Sequence, residues 1–218
     1  MKTDLQLQRD VMDELKWEPA VEASAIGVEA KDGVVTLAGH VASYAQKWAA
    51  ERAAQRVAGV HGVVVEIDVR LPGSSNRTDV DLVKAARLAL EWNSSVPVDA
   101  IKILVHDGIV TVSGEVEWEF QRQAAAAAVR HLIGVRGVNN NITLKLHVVK
   151  VHDVKKKILA AFHRHAQLDA KSISVDIDGG NITLKGTVDS WAERVAARNA
   201  AWAAPGVRHV IDNLSVAD

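Results

Sequence analysis

Eight residues, Asp32-Gly33-Val34-Val35-Thr36-Leu37-Ala38-Gly39, return twice along the chain. They reappear as Asp107-Gly108-Ile109-Val110-Thr111-Val112-Ser113-Gly114 and as Gly179-Gly180-Asn181-Ile182-Thr183-Leu184-Lys185-Gly186. Each copy reads as a tight turn opening onto a strand that ends at a second glycine. Asp-Gly and Gly-Gly supply the φ > 0 positions of a two-residue hairpin, and Thr and Val suit the pleat. The copies are 75 and then 72 residues apart, so the 218-residue chain divides into three units of domain length. Units this small bury only about 60% of their chain surface and lean on neighbours.

Aligned on the glycines, the stretch before each turn carries an i, i+4, i+8 apolar stripe. It is Leu7, Val11, Leu15 in the first unit, Leu82, Ala86, Leu90 in the second and Val154, Ile158, Phe162 in the third. One apolar face of a helix has this spacing. Pro19 and Pro97 follow the first two stripes and are expected to block their continuation. A short alternating strand comes next, then the turn and central strand. A second, alanine-rich helix is predicted over Gln46–Ala58, Gln121–Ile133 and Ala192–Ala203, each closed by a left-handed glycine cap at Gly59, Gly134 or Gly206. A last strand begins at Val63, Val138 and Val210. The order per unit is α-β-β-α-β, with helices on one face of the sheet because the threonine-bearing face is mixed in polarity.

These readings give an α+β fold of three tandem αββαβ units, with the helices on one face of each sheet. The units span residues 1–70, 78–145 and 149–217, with a Pro/Gly/Ser linker at 71–77. The segment 145–150 has neither Gly nor Pro, so the second and third units are expected to be the more rigid pair.

Composition narrows the function classes. The chain has no cysteine, which excludes disulfides, thiolate catalysis and cysteine-ligated metals. A net charge of −1 argues against general nucleic-acid binding. Its distribution is uneven: residues 1–75 carry 8 basic and 11 acidic side chains, residues 76–148 carry 8 of each, and residues 149–218 carry 10 and 8. The N-terminal stretch has no apolar core of a signal peptide and no run is long enough for a membrane span, so a cytoplasmic location is expected.

The glycine positions together resemble the BON domain, a bacterial module of osmotically induced and nodulation-related proteins. The second unit carries the resemblance most fully, in Asp107, Gly108, Val110, Val112, Gly114, Val116, Arg122, Ala125, Gly134, Val135, Val138, Asn141 and Ile142. The structural glycines are Gly33, Gly39 and Gly59, then Gly108, Gly114 and Gly134, then Gly180, Gly186 and Gly206. Departures are Lys47 and Glu66 in the first unit and Gly179 in the third. The resemblance implies that each αββαβ unit is a three-stranded mixed sheet with two helices on one face, and it implies attachment rather than chemistry: phospholipid surfaces, osmotic-stress proteins, secretins and channels. A potassium-sensing role is a weaker implication, since no LysM-like segment accompanies the units.

The residues themselves offer no catalytic set. Nine histidines include no His-x3-His pair, and His163 and His165 point to different sides of a helix. No nucleophile elbow or phosphate loop occurs. No enzyme activity, metal or cofactor is expected. The candidate contacts are of two kinds. Lys155, Lys156 and Lys157, with Arg164, make the third unit's first helix basic around its stripe, either a merely solvated face or one suited to anionic headgroups. Six tryptophans stand against two phenylalanines and one tyrosine; Trp48 and Trp202 lie outside the alanine core set, and Trp118, Phe120 and Trp191 lie where strand passes to helix. These aromatics either fill the seams between units or anchor a membrane or partner. The reading is a non-enzymatic, stress-associated adaptor docking on anionic phospholipid, with a homo-oligomerising assembly module as the alternative.

Overall fold

The computed structural model describes residues 2–145, 151–164 and 172–217. Residues 146–150, on which the linker expectation falls, and His165 and Asp169 lie outside that set.

The first unit begins with α1 (Asp4–Trp17), which buries Leu7, Val11 and Leu15. Thr3 and Gln6 form a reciprocal capping box at its start, satisfying two of the otherwise orphaned amides. Strand β1 (Ile26–Lys31) pairs antiparallel with β2 (Val34–Val41), and after α2 (Tyr44–Arg56) the strand β3 (Gly62–Val69) pairs parallel with β2. The plan repeats in the second unit as α3 (Asp79–Glu91), β4 (Ile101–His106), β5 (Ile109–Val116), α4 (Glu119–Arg130) and β6 (Gly137–Leu144). It repeats in the third as α5 (Val151–Arg164), β7 (Ile173–Asp178), β8 (Asn181–Val188), α6 (Trp191–Trp202) and β9 (His209–Val216). Each unit has one three-stranded mixed sheet, with the turn-led strand in the centre. Both helices of a unit cover the same face: Val35 and Leu37, Val110 and Val112, Ile182 and Leu184 are fully buried against the first-helix stripes and the alanines of the second helices.

The hairpins show why glycine recurs. Asp32 and Gly33, and likewise Asp107 and Gly108, both have positive φ, as a type I′ turn requires. In the third unit only Gly179 of the Gly-Gly pair does, the φ pattern of a type II′ turn. First-helix carboxylates support the first two turns. Asp4 Oδ1 accepts from the Asp32 amide at 3.1 Å, and Asp79 accepts from the amides of Asp107 and Gly108 at 3.0 Å each. The equivalent residue in the third unit is a valine, Val151.

Two expectations are corrected. The second helices start and stop one to three residues earlier than predicted. Ser43 and Ser190 cap α2 and α6 through their hydroxyls, and Gln46, Gln121 and Glu193 accept amides from residues just before each helix. Helix C-caps are Val57, His131 and Ala203, so the left-handed Gly59, Gly134 and Gly206 belong to the turn beyond. Nor does Pro97 end α3: the chain leaves the helix at Trp92–Asn93, where the Asn93 side chain accepts from the Ser95 amide at 3.0 Å.

Candidate interaction surface

The alanine helices bring the three units together, and the tryptophans sit at their seams. Trp48, on α2, is half-buried beside α4 of the second unit. The Arg130 guanidinium lies 3.9 Å from its ring centre, and Arg52 of its own helix lies 5.2 Å away. Arg130 Nε is buried without a hydrogen-bond acceptor, so the indole face is what receives this cation. Burial pushes the Arg130 pKa down from its ordinary value, partly offset by Tyr44 and Glu51. Tyr44 itself packs on the core of the second unit. On the other flank of α4, Trp202 ends α6 and packs against the cores of both the second and third units, with the Arg122 guanidinium 4.9 Å from its ring centre. Helix α4 thus receives one tryptophan from each outer unit.

The basic residue that precedes each alanine run has a structural task. Lys47 Nζ donates to the Ile67 carbonyl at 2.7 Å, and Arg194 Nε donates to Asp212 at 2.9 Å, tying the second helix to the last strand. Arg122 instead pairs with the buried Glu119 at 2.7 Å, and Asn140 reaches across to the Arg122 carbonyl.

Trp191 is half-buried beneath Arg194, 5.1 Å from its ring centre. Trp118 and Phe120 are exposed by 37% and 58%. With Ala124, Ala127, Trp202 and Ala203 they line an apolar groove of about 750 Å³ between α4 and α6. Two further tryptophans escaped the sequence reading. Trp17 and Trp92 are 82% and 83% exposed, at the ends of α1 and α3. They are 75 residues apart and so occupy equivalent positions, a signal the repeat spacing already carried.

On α5 the expected division holds. Val154, Ile158 and Phe162 are buried, while Lys155, Lys156, Lys157, His163 and Arg164 are exposed. Asp176 on the neighbouring strand is held below the usual carboxylate range, first by its hydrogen bond from Lys185 at 2.8 Å and more weakly by the charge of Lys155.

Asp79, His106 and Asp107 bring potential ligand atoms within 4.8 Å of one another. Both Asp79 oxygens already accept turn amides, so the cluster is a hairpin support. Among the described residues no helix is long and apolar enough to cross a membrane.

The pattern of the BON domain matches residues 3–70, 78–145 and 150–218. The chain belongs to the BON domain family. Its three BON units cover nearly all of the sequence. Osmotically-inducible protein Y of Escherichia coli (strain K12) is 31% identical over 132 residues, which span 57% of this chain and 64% of that protein. Among solved structures, CdsD, a structural protein of the type III secretion system of Chlamydia trachomatis, shares 16% identity over 96% of this chain and 91% of its own, with a TM-score of 0.28. The C-terminal domain of CdsD shares 15% identity with full coverage of both chains and a TM-score of 0.26.

Proposed function

We propose that this BON array is a non-enzymatic adaptor that docks reversibly on anionic phospholipid through α5. The observation that carries the reading is the separation of faces on that helix. Its apolar stripe is spent on the core of the third unit, leaving three consecutive lysines and Arg164 exposed. Aliphatic stems of such lysines lie along the helix while their ammonium groups reach outward. Each basic residue near an anionic surface contributes about 1 kcal/mol, so three or four give roughly millimolar attraction, sensitive to salt. The excess of basic residues in the third unit and of acidic ones in the first would turn the third unit toward the membrane. A role in osmotic stress draws support from the similarity to osmotically-inducible protein Y. The surface addressed in this reading is a cytoplasmic leaflet, which cell fractionation checks.

The test is co-sedimentation with anionic and neutral vesicles across a salt series. Wild type is expected to bind only the anionic vesicles, with affinity falling as salt rises. A Lys155/Lys156/Lys157→Gln variant is expected to lose most of this binding. Equal binding to both vesicle types, or an unchanged triple variant, overturns the assignment to α5.

A further inference from the structure

The apolar groove between α4 and α6 and the exposed Trp17 are left unexplained by lipid docking, and they fit each other. We propose that Trp17 of one copy seats in the α4–α6 groove of a second copy, so that the chain assembles head to tail. This inference draws on the same basic excess of the third unit as the lipid reading, and its test contains no lipid.

The groove has the make-up of an aromatic receptor. Small side chains, Ala124, Ala127 and Ala203, line it beside Trp202, and the exposed Trp118 and Phe120 complete the lining. Its volume of about 750 Å³ lies within the usual range for a site that encloses an apolar group. The one charged residue of its lining, Glu119, is buried and ion-paired with Arg122 at 2.7 Å, while its Oε2 keeps no hydrogen-bond donor.

The chain already contains the docking mode within itself. Trp202 is the last residue of α6, and its ring lies on α4 under the Arg122 guanidinium. Trp17 is the last residue of α1, and it is 82% exposed. A helix-terminal tryptophan laid on α4 is therefore a contact this sequence makes, and Trp17 is one presented without an intramolecular seat. Continuity with the seam between the second and third units places the two indoles side by side.

Charge selects Trp17 over Trp92 and a second copy over an unrelated partner. The first unit has an acidic excess, 11 acidic against 8 basic residues, and the third a basic one, 10 against 8. Bringing the first unit of one copy to the junction of the second and third units of another therefore pairs opposite fields. Because knob and groove lie on different units, the contact is heterologous, and repetition gives open chains or rings rather than a closed two-fold dimer.

Sedimentation velocity on the full chain tests this. Wild type is expected to show a distribution of species growing with concentration and shrinking with salt. Trp17→Gln, which removes the knob, and Phe120→Asp, which charges the groove lining, should each weaken association by roughly tenfold or more, the loss usual for a buried anchor. Both sites are exposed, and circular dichroism confirms that each variant is folded. An equimolar mixture of the two variants is the decisive arm: one intact knob meets one intact groove, giving a capped 1:1 dimer and nothing larger. A monomeric wild type, an unchanged Trp17→Gln variant, a mixture that does not pair, or loss of association in Trp92→Gln instead overturns the proposal.

Discussion

The indole of Trp48 and the guanidinium of Arg130 face each other across the seam between the first two units, 3.9 Å from ring centre to guanidinium carbon. Neither side chain has an equivalent in the other units, where Gln123 and Val195 stand for Trp48, and Gln55 and Trp202 for Arg130. A partly desolvated cation–π pair contributes about 1–2 kcal/mol. Trp48→Ala is expected to cost about 2 kcal/mol, and a double-mutant cycle with Arg130→Ala should return a coupling of about 1 kcal/mol. Chemical denaturation followed by circular dichroism measures both.

Asp79 anchors the second hairpin through two amide hydrogen bonds of 3.0 Å, whereas Asp4 makes one to the first. Asp79→Ala leaves both turn amides without their carboxylate and should destabilise the second unit by about 1–3 kcal/mol. Asp4→Ala should cost less. Amide exchange at Asp107 and Gly108 should quicken in the first variant while the third hairpin is unchanged.

Gly114 cannot be replaced cheaply. Its φ is +143°, and a Cβ there would stand 2.0 Å from the Ala100 carbonyl oxygen. Backbone is the obstacle, so no side-chain rotation relieves it. Gly114→Ala is expected to cost more than about 3 kcal/mol or to prevent folding of the second unit, read from its unfolding midpoint. Gly73, with no atom within 4 Å of its virtual Cβ, is the matched control, and Gly73→Ala should be neutral.

Arg56 joins α2 to the end of α1, pairing with Glu14 and Glu18 at 2.8 Å each. Its hydrogen bond is the main reason the Glu18 carboxyl is held below the usual carboxylate range. A carboxylate whose folded pKa is depressed adds stability above its unfolded pKa and loses it as pH falls through the folded value. Wild type should therefore lose part of its margin over Arg56→Gln as acid is added, with the two unfolding curves converging once Glu18 is protonated. Thermal melts across that acid range check the sign.

Much of the fold was legible because it rests on local rules repeated three times. The stripes of Leu7, Leu82 and Val154 and the alternation around Val35, Val110 and Ile182 are period signals, and every one of those side chains is buried. Helix ends were less legible. The alanine run marks where a second helix packs, whereas its start is set by Ser43 or Ser190 and by a glutamine or glutamate three positions on, a capping pattern that composition does not display. Among the interaction residues, the lysines of α5 could be placed outward from helical spacing alone. The tryptophans could not. Trp48 and Trp118 both lie outside the alanine set, yet one closes a seam and the other opens a groove, and that distinction depends on which unit lies opposite. Trp17 and Trp92 went unremarked because each follows its stripe by two residues, although the repeat aligns them.

The two seams on α4 are not alike. The first unit delivers Trp48 to Arg130 near the helix C-terminus, and the third delivers Trp202 to Arg122 near its N-terminus. Exchanging the outer units would present each indole to the wrong end of the helix. The succession of modules is thus written in the joints as well as in the connectors, and recombination that shuffles whole units while preserving every internal core would still lose both of these pairs.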